Sequence, residues 1–147
     1  MVTGILPFLN SRCSDNYRNT LVPQYLCASF KYLYMSNLVN EFNEYRTRMN
    51  DVILSKDNLV LKRLWNLDTN TYAEGALDVK TKELLGLVAS MVLRCDDCIK
   101  YHLGKAHELG TTTTEIYEVF AVANIVGGTI VIPHTRRAAE YWEELGK

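Results

Sequence analysis

The chain is short of net charge, of long apolar runs, of strand-like alternation and of cysteine, and each shortage excludes a class of protein. Its 147 residues carry 16 Lys and Arg against 17 Asp and Glu, a formal net charge of −1. A nucleic-acid binder carries a clustered basic excess, and a polybasic membrane contact needs one too, so neither partner is expected. No stretch approaches the roughly 18 consecutive apolar residues of a membrane span. The opening Met1 to Pro7 has no positive charge before its short apolar run and no clear small-residue cleavage site after it. It does not read as a signal peptide. No segment alternates with period two and no Asn-Gly hairpin dipeptide occurs. Four cysteines are too few for a disulfide scaffold. These absences together leave an all-α chain of five to seven helices, one domain's worth of material, expected in a reducing cytosol.

What is present changes character near residue 35. Residues 1–34 hold four charged residues (Arg12, Asp15, Arg18, Lys31), two of the three prolines, Cys13 and Cys27, with no sustained period. They are expected to be an extension of uncertain order, with Met35 a candidate biological start; the alternative is an ordered arm covering a neighbouring subunit. Cys13 and Cys27 receive no role. From Leu38 the pattern is helical: Ser36 or Asn37 suits the N-cap, and Leu38, Phe42, Tyr45, Met49 and Val52 form one apolar stripe. A second helix starts after Ser55 or Asp57 and buries Leu59, Val60, Leu61, Leu64 and Trp65, and the polar run Asn66 to Thr71 reads as a loop. Asp78 caps a third, Val79 to Leu93, apolar around much of its girth and suited to a bundle centre or subunit interface. The next runs from about Cys95 to Leu109 and stops at Gly110. Thr112 to Glu115 fits a capping box. The helix it opens is weakened or bent at Gly127-Gly128, and Pro133 marks a last segment from near Ile132 to Leu145.

The chemistry is concentrated in Arg94-Cys95-Asp96-Asp97-Cys98-Ile99-Lys100-Tyr101-His102. At 100° per residue, Cys98 lies about 60° and His102 about 20° from Cys95, on one helix face. Cysteines at i and i+3 have Cα atoms roughly 5 to 5.5 Å apart, within disulfide reach. A helix N-terminus stabilises a thiolate, most for Cys98 inside the first turn, whereas Asp96 and Asp97 oppose a further anion. Cys98 is therefore expected to be the more reactive sulfur. His102, one turn on, can carry its proton. In one unbroken helix Glu83 would sit about 18 Å from Cys95. If the chain folds back near Arg94, Glu83 instead comes level with His102; otherwise it is an exposed first-turn glutamate. Metal binding is the competing reading, but structural zinc needs a fourth ligand. His107 lies about 120° off the face and His134 is far along the chain. An inert core pair is the third reading. His134 reads as a helix-start residue, and Tyr45, Tyr101, Tyr117, Tyr141 and Trp142 as core or subunit contacts.

Glu83, eleven intervening residues, Cys95-x-x-Cys98 and then His102, preceded by Asp78-Val79-Lys80-Thr81-Lys82, closely resemble the alkylhydroperoxidase D-like, carboxymuconolactone decarboxylase superfamily. The similarity continues through His107-Glu108-Leu109-Gly110, Thr114-Glu115-Ile116, Gly127-Gly128 and the helix from Arg136, covering about residues 36–147. Residues 35–147 are accordingly expected to be one such domain. The resemblance implies an all-helical fold assembling as trimers or hexamers, and a thiol peroxidase acting on alkyl or hydrogen peroxides. In it Cys98 is the peroxidatic sulfur, Cys95 resolves it to a disulfide, and Glu83 and His102 form a proton relay through water. No haem or flavin is required; the electron donor is an unspecified protein or small-molecule thiol. One departure is Asp97, where peroxidase members can carry a histidine; it bears on the relay and on any specific reductant such as a lipoylated partner. The rival functions are a lactone decarboxylase or related lyase, whose branch typically lacks the dithiol, and a non-catalytic redox sensor or disulfide-exchange protein.

Overall fold

Six α-helices and one 3₁₀ turn make up the computed structural model, which describes residues 37–147. The expected extension over residues 1–34, and Met35, lie outside the described residues. The helices are α1 (Leu38–Leu54), α2 (Leu59–Tyr72), α3 (Val79–Leu93), α4 (Asp96–Glu108), α5 (Thr113–Gly127) and α6 (Ile132–Leu145), with the 3₁₀ turn at Thr129–Val131. There is no strand among the described residues. None of their helices is long and apolar enough to cross a membrane.

Caps fix the helix starts. Asn37, Asn58 and Asp78 each accept the backbone N–H of the third helical residue, Asn40, Leu61 and Thr81. The Thr112 capping box forms in full: Glu115 N donates to Thr112 Oγ1 at 3.3 Å, and Thr112 N donates back to Glu115 Oε2 at 2.7 Å. Lys80 Nζ then pairs with Glu115 Oε1 at 2.7 Å and ties the start of α3 to the start of α5.

α3 is the bundle's centre, packed against α4 and α5, with α6 on α4 and α1 on α6. Its largely apolar girth is explained by that position: Leu87 and Met91 are fully buried between the neighbours. Ile99, Leu103 and Ala106 from α4, Ile116, Phe120 and Ala123 from α5, and Tyr141 and Trp142 from α6 complete the core with Phe42 of α1. Burial of one such large side chain contributes about 1.5–3 kcal/mol.

Three expectations need correction. The run Asn66 to Thr71 is helical, not a loop, because its polar side chains bond to the preceding turn. Thr69 Oγ1 donates to Trp65 O at 3.0 Å, Thr71 Oγ1 to Leu67 O at 2.8 Å, and Asn70 Nδ2 to Asn66 Oδ1 at 2.8 Å. Lys82 Nζ closes the end by donating to the carbonyls of Thr71 and Ala73 at 3.0 and 2.6 Å. The apolar side of α2 is also not buried, since Leu59, Val60 and Leu64 face outward along with Leu67. Gly127-Gly128 ends α5 instead of bending it: Gly128 has φ +76°, and a methyl on Gly127 would collide with Val131 Cγ2.

Candidate functional site

The site is made by a reversal of the chain. Arg94 adopts φ 61°, ψ 37°, the left-handed conformation that usually falls to glycine at a helix end. Cys95 N donates to Ser90 O at 3.0 Å and Arg94 N to Met91 O at 3.1 Å, the bond pair that closes a helix on such a residue. α4 therefore runs back alongside α3, and Glu83 arrives level with the second turn of α4. Its Oε2 lies 2.7 Å from His102 Nδ1. Glu83 is 3% and His102 6% exposed, so the contact excludes water. With Nδ1–H donating to the carboxylate, Nε2 is the ring nitrogen left to exchange a proton.

An aromatic frame holds the ring. Tyr72, at the end of α2, and Tyr101 each place their ring centroids 5.3 Å from that of His102. Gly86 on α3 leaves the notch that makes this arrangement fit. A Cβ there would stand 2.6 Å from His102 Cε1, 2.8 Å from Nε2 and 2.7 Å from Tyr72 Oη. Burial, reinforced by the nearby Glu83 carboxylate, pushes both phenols above their ordinary value, so both stay protonated at neutral pH.

Cys95 and Cys98 are joined as a disulfide, with Cα atoms 5.3 Å apart. Cys95 is the N-cap of α4, not a first-turn residue as expected, because its backbone is extended in order to leave the Arg94 turn. Its Sγ accepts the N–H of Cys98 at 3.4 Å, a role usually filled by a hydroxyl or carboxylate. Cys98 is exposed and Cys95 only half-buried. The shared helix face is thus divided: His102 turns to the interior, Cys98 to the surface.

A cleft of about 320 Å³ opens beside the dithiol. Phe42, Tyr45 and Met49 of α1 form one wall, and Cys98, Tyr101 and His102 the other. Arg46 lies over the Tyr101 ring, 4.2 Å from its centroid. Tyr45, read from sequence as a core or subunit contact, is exposed on this cleft; Tyr101 lines it while packing against the core, and Tyr141 and Trp142 are core as expected. A dithiol–disulfide pair, a buried carboxylate–imidazole pair and a cleft whose lining mixes aromatic side chains with Arg46, Asp68 and Asp97 are parts suited to proton-assisted sulfur chemistry on a small molecule.

A second cluster stands at the start of α4. Asp96 Oδ1 accepts from His134 Nδ1 at 2.7 Å and from Arg137 Nη2 at 3.1 Å, and Arg137 Nε lies 3.0 Å from Oδ2. Arg137 Nη2 is also 2.9 Å from His134 Nδ1. That nitrogen can donate to the carboxylate or accept from the guanidinium, not both, and the shorter contact to a carboxylate favours donation. Burial opposes ionisation of Asp96, but the bonds from His134 and Arg137 outweigh it and hold the carboxyl below its ordinary value. His134 was read from sequence only as a helix-start residue; its spacing of three from Arg137 is the one signal of a shared face. His107 packs edge-on against Trp142 at 5.4 Å, away from the cysteines. No group of three His, Cys, Asp or Glu suited to a metal ion occurs among the described residues.

The chain belongs to the carboxymuconolactone decarboxylase family, whose sequence model matches residues 58–141. A family protein of Thermotoga maritima, described as having a possible involvement in antioxidative response, shares 53% identity at a TM-score of 0.69. The match covers 71% of this chain and 89% of that one. A family protein of Legionella pneumophila, solved in its apo form, is 25% identical at a TM-score of 0.70, over 76% of this chain and all of that one. An uncharacterised protein of the cox locus in Paracoccus denitrificans is 31% identical over 74 residues, which is 50% of this chain and 67% of that protein. An uncharacterised protein of Cupriavidus necator is 28% identical over 72 residues, 49% of this chain and 64% of its own length. The helix α1 that walls the cleft lies outside the segment matched by the family model.

Proposed function

We propose that the protein is a thiol peroxidase that reduces alkyl or hydrogen peroxides through a Cys98–Cys95 disulfide cycle, with Glu83 and His102 as proton relay. The observation that carries this reading is the pairing of an exposed Cys98 with a buried, carboxylate-locked His102 on one cleft. The Cys98 thiolate attacks the hydroperoxide O–O bond, forming Cys98–SOH and releasing the alcohol, or water from hydrogen peroxide, once the leaving oxygen takes a proton. His102 Nε2 is the nearby group suited to removing the thiol proton and returning it, through water, to that oxygen. The Cys95 thiol then attacks the sulfenic sulfur, expels water and closes the disulfide. Two electrons from an external thiol donor, in a reducing compartment such as the cytosol, restore the dithiol.

The Thermotoga relative's antioxidative description favours the same reading. The outward apolar faces of α2 and α5 favour a homo-oligomer, a trimer or hexamer: Val60 is 74% and Ile125 86% exposed. A turnover assay with cumene hydroperoxide and excess dithiothreitol tests the function. Wild-type turnover, abolished in Cys98→Ser, is the expected result. Conversion of a lactone substrate that survives replacement of both cysteines would favour the lyase, and ready dithiol oxidation without turnover would favour a sensor.

A further inference from the structure

The dithiol brackets two carboxylates, and their charges ought to hinder formation of a thiolate. The structure treats the two differently. Asp97 is well exposed, its side chain 71% open to solvent, with Lys100 Nζ 3.8 Å away; water and that lysine screen it. Asp96 is less exposed and makes contacts with two side chains of α6, His134 at 2.7 Å and Arg137 through both carboxylate oxygens. Those contacts come from a helix that begins more than thirty residues later and has no other part in the cleft.

We propose that Arg137 and His134 are positioning residues for the dithiol, which act by pairing with Asp96 and cancelling the charge that would otherwise oppose the Cys98 thiolate. The proposal deepens the peroxidase reading and rests on it for its purpose, but the state of the thiol can be measured without any peroxide. Asp96 is the first residue of α4, so its carboxylate lies at the same helix end whose free N–H groups favour a thiolate. Left unpaired, it would compete for that field. With Arg137 in place, the local sum of the two charges is zero, and the free N–H groups of the helix end act on the Cys98 sulfur without that carboxylate against them. Other charges stand near the dithiol: Arg46 of α1, Asp68 of α2 and Asp97 of α4 line the cleft with Cys98, Glu83 of α3 lies behind His102, and Arg94 precedes Cys95 in the chain. None of these contacts Asp96, so their effect is common to every variant below.

The test is the pH dependence of iodoacetamide alkylation of the reduced full-length protein, followed by mass on the peptide spanning Cys95 and Cys98. Arg137→Gln is expected to move the midpoint of the alkylation profile upward by about half a unit to one unit. Arg137→Lys, which keeps the charge, should return it most of the way. Removing both charges, in Asp96→Asn/Arg137→Gln, should bring the midpoint back close to that of wild type, an outcome that a merely structural role for Arg137 does not produce. His134→Leu should raise the midpoint in the same direction, by less. An unchanged midpoint in Arg137→Gln, or a double variant shifted as far as Arg137→Gln alone, overturns the proposal. Absence of peroxide turnover alongside the expected midpoint shifts would instead defeat the peroxidase reading and leave the charge pairing standing.

Discussion

Glu83 and His102, nineteen residues apart in the chain, meet through a 2.7 Å contact in the interior. The contact exists because Arg94 turns α3 back on itself as α4, and it leaves Nε2, on the side of Gly86 and Tyr72, as the ring nitrogen without a carboxylate partner. Replacing the carboxylate by an amide keeps the shape and an acceptor but weakens the hydrogen bond that holds the ring N–H. Glu83→Gln is therefore expected to retain most of the folding stability while lowering peroxide turnover about 10- to 100-fold. Glu83→Ala leaves a buried ring N–H without its partner and should also cost about 1–3 kcal/mol of stability in denaturant unfolding. Equal turnover in Glu83→Gln and wild type would remove Glu83 from the relay.

Gly86 and Gly104 form a matched pair of tests. A methyl on Gly86 would press on His102 and Tyr72 at 2.6 to 2.8 Å, whereas one on Gly104 meets nothing within 4 Å. Gly86→Ala should lower turnover by about 100-fold, the scale of a misplaced acid–base group. Gly104→Ala, in a helix interior, should raise stability by about 0.5–1 kcal/mol and leave turnover unchanged. Thermal unfolding and steady-state rates on the two variants check both outcomes.

The two faces of the site were unequally legible in sequence. The dithiol spacing could be read because helical period fixes it locally, and the α3–α4 hairpin that brings Glu83 to His102 was legible as one of two alternatives, since nothing before Cys95 marks Arg94 as the left-handed residue that turns the chain. The Asp96 contact with His134 and Arg137 could not, since it depends on how α6 lies across α4. Tyr72 was missed for a different reason: Asn66 to Thr71 have low helix propensity, and only the side-chain bonds to the preceding turn, together with Lys82 at the helix end, extend α2 far enough to bring Tyr72 to the imidazole. Cys95 shows the same limit on a smaller scale. Spacing placed it in a helix, but the left-handed Arg94 before it makes it a cap.

Acid should reveal the Lys80–Glu115 tie. The hydrogen bond from Lys80, then those from Thr112, lower the Glu115 carboxyl from 4.5 to about 2. A carboxyl depressed in the folded state stabilises it fully above its unfolded value and loses that contribution as pH falls toward the folded value. The difference in Tm between wild type and Glu115→Gln should thus be largest above pH about 4.5 and shrink steadily toward about 2. A difference independent of pH across that window would mean that the charge contributes nothing.

Association should depend on the outward apolar faces. Val60, Leu64 and Leu67 recur along α2 at helical spacing, and Ile125 and Val126 stand outward on α5. Wild type is expected to sediment as a trimer or hexamer, and Leu64→Glu or Ile125→Glu as smaller species. A monomeric wild type at micromolar concentration would contradict the proposed assembly.

Reduced protein given one equivalent of cumene hydroperoxide, with free thiols counted and the mass of the peptide spanning Cys95 and Cys98 followed, decides whether Cys98 is the peroxidatic sulfur. Rapid loss of both thiols is expected in wild type as the disulfide forms, with a trappable sulfenic acid in Cys95→Ser and no reaction on that peptide in Cys98→Ser. Both thiols remaining free over minutes in wild type, with the peroxide intact, would contradict that role.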